Sequence, residues 1–434
     1  MSNKSDPGKW LARLVLILLF AGSVMNYTDR SLLSVVMPQA KHDLGLTNTD
    51  YGMVVNAFLL VYAVFYILGG RIGDRLGCRR MFTVTVFLYS LATMAHTLVR
   101  GLGSLIVCRA LLGVGESSFF PAAMRGAAEW FPPASRAKAV GFILSAISVG
   151  LLIAPPMVAW VALHYGWRAA FLVIGALGLL LLPPWWLLQR RIHKVYGTPD
   201  PTPASALNPA ANLPEAEQVT LAQVLRSRKY WCVLSARGCT DAAWYFYLFW
   251  IPGYFQEVRG LSLASVGKLL WIPYFCSIFG ALGGAAASSD LIERGVGVSR
   301  SRLTVLLASA VVCMLSASAC FAPGAYLALT LVTLALFGHQ SWSANIHTVI
   351  TEISPARHVA ILYGITGAAG TLLGAASQVP IGHIIDTHGY TPAFVWAGGM
   401  YVLAMILLVS AGTLEPLRRK LTGLAEPLPS PSET

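Results

Sequence analysis

The chain alternates long apolar runs with short polar connections. Twelve of these runs reach about twenty residues, which is long enough for a helix to cross a hydrocarbon layer of about 30 Å. Segments of about ten residues with strictly alternating polarity, the pattern of a membrane β-barrel, are absent. The pattern therefore predicts an all-α membrane protein with twelve transmembrane helices. Their approximate bounds are 11–38, 51–72, 81–99, 103–124, 137–162, 168–189, 231–255, 265–288, 303–322, 325–350, 358–383 and 390–413.

The composition excludes an ordinary soluble fold. Of 434 residues, 56% are hydrophobic and 12% are charged, whereas soluble domains carry about 25% charged residues. The 31 Lys and Arg exceed the 19 Asp and Glu by 12, which in a soluble protein would suggest a nucleic-acid partner. Their distribution gives another explanation, because 23 basic residues lie on the side of the termini, 5 on the other side and 3 inside the segments. The positive-inside rule therefore predicts cytoplasmic termini, and no nucleic-acid partner is expected.

One long hydrophilic stretch, residues 192–229, separates the sixth and seventh segments. It contains five prolines among small residues and has no hydrophobic periodicity, which is typical of a linker. We predict an N-terminal six-helix bundle over 1–190, a cytoplasmic linker over 191–229, a C-terminal six-helix bundle over 230–416 and a cytoplasmic tail over 417–434. Paired bundles are a transporter architecture, in which the substrate site lies between the bundles near the middle of the membrane.

A glycine-rich motif follows the second segment. Residues 70–80 read G-R-I-G-D-R-L-G-C-R-R, and they resemble the loop signature of the major facilitator superfamily. Glycines let two helix ends approach closely, and Asp74 can pair with basic or helix-end donors when the cytoplasmic side is closed. Asp74 and Arg75 are therefore predicted to act in gating. The resemblance implies the fold of that superfamily, with two pseudo-symmetric six-helix bundles.

Within this superfamily the chain resembles the anion:cation symporter family, and most closely its hexuronate transporter branch. The matching stretches include 26–30 (N-Y-T-D-R), 109–116 (R-A-L-L-G-V-G-E), 244–250 (W-Y-F-Y-L-F-W) and 339–345 (H-Q-S-W-S-A-N). The resemblance implies uptake of a small organic anion with protons by alternating access. It also implies a monomer in the inner membrane of a bacterium.

Six ionisable residues lie inside the predicted helices. At bilayer depth each costs a few kcal/mol or more unless it is paired or faces water, so each is a candidate functional residue. Arg30 shares a helix face with Asn26 and Tyr27, and a guanidinium beside an amide and a phenol suits a carboxylate ligand that carries hydroxyls. The alternative is that Arg30 pairs with a carboxylate of the bundle. The six residues are Asp29, Arg30, Arg109, Glu116, Arg237 and Asp241.

The other charged residues fall into two couples. Arg109 and Glu116 are seven residues apart, about 10 Å along a helix, so each needs a further partner. Burial disfavours a charged carboxylate and a nearby arginine favours it, so movement of an arginine or arrival of an anion can drive proton uptake. We predict that Asp29 and Glu116 carry protons, with Arg109 beside them. Four residues separate the members of the second couple, Arg237 and Asp241, and a structural ion pair is predicted there.

Further polar side chains are candidates for lining the substrate cavity. Hydroxyl and amide groups can distinguish a polyol acid from a plain fatty acid. The same residue types also bridge helices in membranes, which is the alternative for each of them. Together with Arg30 and Tyr27, the predicted substrate-binding residues are Tyr62, Gln340, Ser341, Trp342, Asn345 and Thr371.

These observations predict a secondary transporter and not an enzyme. Motifs for metal-dependent hydrolysis, phosphate-binding loops and nucleophile elbows are absent, so no cofactor or metal is expected. The favoured substrate is a hexuronate such as glucuronate or galacturonate, taken up by proton symport. Two alternatives remain open: uptake of another organic anion (an aldonate, an aldarate or an aromatic acid), and a nutrient sensor that binds without transport.

Overall fold

The computed structural model describes residues 7–131, 133–196, 220–355 and 358–414. Within these residues the secondary structure is helical and contains no β-strand. Short 3₁₀-helices, His96–Leu98 and Leu315–Phe321, extend two of the α-helices. The α-helices of the described residues are α1 Pro7–Leu44, α2 Asn48–Ala95, α3 Leu102–Ser117, α4 Phe119–Trp130, α5 Pro133–Tyr165, α6 Trp167–Leu179, α7 Leu182–Tyr196, α8 Leu221–Leu225, α9 Arg228–Glu257, α10 Leu263–Leu269, α11 Trp271–Glu293, α12 Val298–Met314, α13 Ala325–Ile353, α14 Val359–His388 and α15 Tyr390–Ser410.

The helices confirm the all-α membrane fold. In the described part of the chain, nine helical stretches are long and apolar enough to cross a membrane. The other three predicted segments correspond to α9, α13 and α14, which are 30, 29 and 30 residues long. Helix α9 is buried along most of its length. A helix surrounded by protein needs no continuous apolar surface toward lipid, which explains why its sequence tolerates more polar residues.

The glycine-rich motif forms a kink where a loop was predicted. Helix α2 contains both the second and the third predicted segments, and the chain bends between them at Gly77. The φ angle of Gly77 is 71°, a left-handed conformation that costs little only without a side chain. The last glycine of the motif therefore separates two membrane helices without an extended loop.

We describe the helices as an N half, α1 to α7, and a C half, α9 to α15, which also pack on each other through α2 and α14. In the N half, helix α2 packs on α3 and α1 packs on α5. In the C half, helix α9 packs between α14 and α15, and α11 packs on α13. Helix α7 ends at Tyr196 and α9 begins at Arg228, so helical structure enters both edges of the predicted linker. Residues 197–219 of that linker and the predicted tail lie outside the described residues.

Contacts between the halves close the end of the molecule that lies away from the chain termini. The Lys41 Nζ and Glu257 Oε1 atoms are 2.7 Å apart, and the Gln39 amide donates to Gln256 at 2.9 Å. The Asp386 carboxylate accepts hydrogen bonds from the first backbone amides of α2, at 3.0 Å from Asn48 and 2.7 Å from Thr49. We call this set of contacts the closed end. The closed end therefore joins α1 and α2 of the N half to α9 and α14 of the C half.

Candidate functional site

Helices α1 and α3 place four charged side chains at the centre of the N half. Two glycines allow this close arrangement. A side chain at Gly150 of α5 would collide with α1 at Tyr27, and one at Gly113 of α3 would collide with the α2 backbone at Phe58 and Tyr62. The helices therefore approach closely around the charged residues. We call Tyr27, Asp29, Arg30, Arg109 and Glu116 the N-half cluster.

Arg30 and Glu116 form a buried ion pair within this cluster. The Arg30 Nε and Nη2 atoms both donate to Glu116 Oε2, at 3.1 and 3.0 Å. The side chains are 5% and 0% exposed. Glu116 therefore finds its partner on α1 and not in Arg109 on its own helix. The structure therefore shows the alternative given for Arg30 in the sequence analysis, an ion pair with a carboxylate of the bundle.

Aromatic rings surround the Arg30 guanidinium. Its Cζ atom lies 4.8 Å from the centre of the Tyr27 ring, 4.6 Å from Tyr62 and 5.5 Å from Phe58. Among the described residues, Nη1 of Arg30 has no hydrogen-bond acceptor, because both of its bonds to Glu116 use the other nitrogens. A guanidinium close to aromatic rings, with a donor edge that already holds one carboxylate, has the chemistry to bind a carboxylate ligand.

Several polar atoms of the N-half cluster are buried without a hydrogen-bond partner in the described structure. They are both carboxylate oxygens of Asp29, Oε1 of Glu116 and Nε of Arg109. The amide of Asn26 shares this condition. Asp29 lies within electrostatic range of both Glu116 and Arg109. Two guanidinium and two carboxylate groups make the cluster neutral when all four are charged, so binding of one anion alone leaves an uncompensated buried charge.

A second guanidinium–carboxylate pair lies in the C half. Arg237 Nε is 3.2 Å from Asp241 Oδ2, one turn away on α9. Arg237 also donates from Nη1 to Thr366 Oγ1 at 2.8 Å, and its Cζ atom lies 5.0 Å from the Tyr363 ring centre. The ring of His347 is 5.5 Å from that of Tyr363. We call Arg237, Asp241, Tyr363 and Thr366 the C-half cluster.

Tyrosines occupy the space between the two clusters. The rings of Tyr62 and Tyr66 stack at 5.9 Å, and Tyr66 lies within electrostatic range of Arg237 and Tyr363. Tyr245 of α9 lies within electrostatic range of Arg30, and its hydroxyl is 3.3 Å from Thr371 Oγ1. The structure therefore brings Tyr62 and Thr371, both predicted from sequence, into the region between the halves.

The predicted residues of α13 divide between two environments. Ser341 Oγ is 2.7 Å from Ser309 Oγ, Trp342 Nε1 donates to Thr240 at 3.0 Å, and the Asn345 amide donates to the Gly284 carbonyl at 3.1 Å. These contacts join α13 to neighbouring helices, and the structure does not bring the three side chains to Arg30. Gln340 is half-buried and lies seven residues before His347, on the same helix face.

Sequence reasoning missed four side chains of this region, and the side chains of two predicted residues are not described. Asp74 and Arg75 belong to α2 just before its kink, and their side chains lie outside the described part of the structure. Helical spacing offers a signal for the missed side chains, because Tyr66 lies one turn after Tyr62 and Thr366 one turn after Tyr363. No group of metal-ligating side chains occurs among the described residues. The missed residues are Tyr66, His347, Tyr363 and Thr366.

Glycines of α14 make room for α9 beside the C-half cluster. A Cβ atom at Gly374 would overlap the Tyr245 ring, whereas one at Gly364 on the same helix would meet no atom within 4 Å. We expect Gly374→Ala to lower the free energy of unfolding by about 1–3 kcal/mol, the usual cost of overpacking. Gly364→Ala is the matched control, and we expect it to be neutral or stabilising because alanine favours a helix. Thermal unfolding in detergent measures both, and equal midpoints for the two variants would contradict the packing described.

Comparisons with known proteins agree with this architecture. The family model of the Major Facilitator Superfamily matches residues 19–377. The hexuronate transporter of Escherichia coli K12 is 26% identical over 408 residues, 93% of each chain. The D-galactonate transporter of E. coli O6:H1 is 26% identical over 427 residues, 94% of this chain and 97% of its own.

A third relative and a solved structure extend the comparison. A protein of Bacillus subtilis 168 named as a probable galactarate/D-glucarate transporter is 25% identical over 425 residues, 93% of this chain and 92% of its own. The crystal structure of a bacterial homologue of the human lysosomal transporter Spinster, inward-facing and unoccupied, superposes with a TM-score of 0.71 at 18% identity. It covers 94% of this chain and 96% of its own. That similarity supports the fold alone.

Proposed function

Because the chain belongs to the Major Facilitator Superfamily, we propose that it imports a sugar-acid anion together with protons by alternating access. It is a membrane transport protein and not an enzyme. The relatives named above transport sugar acids, which supports an organic anion as the substrate. Among these anions a hexuronate such as glucuronate or galacturonate is our first choice.

The observation that carries the proposal is the Arg30 guanidinium. It is buried at the centre of the bundle, sandwiched by Tyr27 and Tyr62, and bound to one oxygen of Glu116. A substrate carboxylate can replace Glu116 on the same donor edge. The hydroxyls of Tyr62, Tyr245 and Thr371 are then available for sugar hydroxyls. Because an unmet buried polar group is costly, these hydroxyls favour a polyhydroxylated acid over an apolar one.

Proton coupling follows from the charge of the N-half cluster. With all four groups charged the cluster is neutral, so a carboxylate that enters with one proton keeps it neutral, whereas a carboxylate alone does not. Glu116 is the first acceptor for that proton, because protonation releases Arg30 to the substrate. Asp29 lies within electrostatic range of Glu116 and is the second. Arg109 lies within electrostatic range of both carboxylates, and its positive charge compensates one of their negative charges.

The closed end defines one state of the proposed cycle. With the termini in the cytoplasm, as the basic residues favour, the closed end faces the outside, and we assign the structure to the state of the cycle that opens toward the cytoplasm. Residues 1–190 and 230–416 are the proposed rocking units, and residues 191–229 connect them on the cytoplasmic side. Both clusters belong to one chain, which supports a monomer as the transporting unit. The bacterial relatives support an inner-membrane location.

Another organic anion is the second candidate, because the relatives carry names of hexuronate, galactonate and galactarate transporters. Purified protein in proteoliposomes tests both candidates. We expect radiolabelled galacturonate to accumulate when the lumen is alkaline, and we expect a protonophore to abolish the accumulation. Competition by galactonate, galactarate and an aromatic acid ranks the substrates. Absence of accumulation for every acid, or accumulation without a proton gradient, would contradict the proposal.

A further inference from the structure

Each half of the protein contains, inside its helices, a largely buried guanidinium–carboxylate pair with an aromatic ring close to the guanidinium. In the N half, Arg30 binds Glu116 and lies 4.6 Å from the Tyr62 ring centre. In the C half, Arg237 binds Asp241 and lies 5.0 Å from the Tyr363 ring centre. The repeated arrangement points to the same chemistry in both halves.

The pair in the C half is the more accessible of the two. The Asp241 side chain is 24% exposed, whereas that of Glu116 is fully buried. Helix α14 packs directly against the pair at Gly370, because a Cβ atom at that position would collide with the Asp241 carboxylate. The accessible side of the pair therefore faces away from α14. Tyr66 of the N half lies within electrostatic range of Arg237, so the pair lies near the N half as well as α14.

The two arginines lie at different levels along the central space. Lys41 and Glu257 form an ion pair, so they mark a common level at the closed end. Arg30 precedes Lys41 by 11 residues and Arg237 precedes Glu257 by 20 residues. At about 1.5 Å per residue these distances are about 16 Å and about 30 Å. Arg237 is therefore about 14 Å farther from the closed end, with tyrosines between it and Arg30.

We propose that Arg237 is a second carboxylate anchor, and that the protein binds sugar diacids with one carboxylate on Arg30 and the other on Arg237. The inference rests on the proposed function and favours its second candidate, an acid with two carboxylates such as galactarate, over a hexuronate, which has one. A diacid offers an anion at both ends and hydroxyls between them, which matches two guanidinium groups with tyrosine hydroxyls between them. Asp241 occupies Arg237 in the absence of substrate. When Asp241 takes up a proton, Arg237 becomes available to the substrate. Protonation of Glu116 releases Arg30 in the same way.

Galactarate and galactonate provide a matched pair of ligands. Both are open six-carbon chains, and they differ at one end, where galactarate has a carboxylate and galactonate has an alcohol. We expect Arg237→Gln combined with Asp241→Asn to weaken galactarate binding by about tenfold or more, the loss of one charge-assisted contact, and to change galactonate binding by less than about twofold. Calorimetric titration of the detergent-purified chain measures both affinities.

Two single substitutions keep the test valid if the double variant does not fold. Arg237→Lys keeps the charge but loses the planar fork, so we expect it to weaken galactarate selectively. Asp241→Asn replaces the competing carboxylate with a neutral amide of the same shape, so we expect it to tighten galactarate binding at neutral pH. The control is Arg302→Gln combined with Glu352→Gln, which removes a 2.8 Å ion pair between α12 and α13. We expect this control to leave both affinities unchanged.

The outcomes separate this inference from the proposed function. Equal weakening of both ligands in the Arg237 variants would mean that the pair is structural, and the inference would be wrong. If the unmodified protein binds galactonate but not galactarate, the inference fails and sugar-acid transport stands. If it binds neither of them and no hexuronate, the proposed function fails as well.

Discussion

We expect Arg30→Gln to reduce the initial rate of sugar-acid uptake by at least about a hundredfold. The substitution removes two charge-assisted hydrogen bonds to the substrate carboxylate, each contributing about 1.5–3 kcal/mol. Every tenfold change in affinity corresponds to about 1.4 kcal/mol, so the loss is large even if glutamine retains one neutral bond. Uptake into proteoliposomes at low substrate concentration measures the effect, and ligand-induced thermal stabilisation reports binding separately.

Arg30→Gln also leaves Glu116 buried without its partner, which destabilises the protein unless Glu116 takes up a proton. Arg30→Gln combined with Glu116→Gln removes this complication, and we expect it to lose substrate binding as completely. The control is Arg125→Gln combined with Glu129→Gln, which removes a 2.7 Å ion pair in α4 whose side chains are 7% and 18% exposed. Unaltered substrate affinity in the Arg30 variants would require Arg30 to be withdrawn as the anion site.

The second large effect is expected at the two carboxylates of the N-half cluster. We expect Glu116→Gln and Asp29→Asn to abolish accumulation driven by a proton gradient while exchange of internal for external substrate continues. A neutral amide imitates the protonated carboxyl and leaves Arg30 available, but it cannot release a proton to complete the cycle. The expected result is therefore a carrier that equilibrates its substrate across the membrane and no longer concentrates it.

The pH dependence of exchange provides a second measurement for these variants. In the unmodified protein we expect exchange to slow as the pH rises, because the charged Glu116 carboxylate then holds Arg30 against the substrate. Exchange by Glu116→Gln is expected to be insensitive to pH over the same range. If both Asp29→Asn and Glu116→Gln accumulated substrate as fully as the unmodified protein, neither carboxylate would be needed for coupling.

The sequence predicted the charged residues of the site but not how they pair. The cost of burying charge identified Asp29, Arg30, Arg109 and Glu116, because this cost depends on residue type and depth alone. The bond between Arg30 and Glu116 joins residues 86 positions apart. This bond depends on how α1 and α3 pack, and that packing cannot be predicted from a single sequence.

Helix α13 illustrates the opposite difficulty. The spacing of Ser341 and Asn345 predicts one polar face, and the structure confirms that face but turns it toward α11 and α12. Hydrogen bonds between membrane helices and bonds to a ligand use the same side chains. Their periodicity is therefore identical for both roles, and only the neighbours distinguish them.

Asp386 belongs to the C half, yet it holds the first amides of a helix in the N half. When the halves part at that end, those amides exchange a carboxylate for water, and the loss of such a helix cap costs about 0.5–2 kcal/mol. The nearby pair of Lys41 and Glu257 is partly exposed and adds a similarly small amount. Because each of these contacts is weak and can break separately, the binding of a single anion can shift the equilibrium between the state closed at this end and the state open at it. In the proposed cycle, an ion gradient is therefore sufficient to drive turnover.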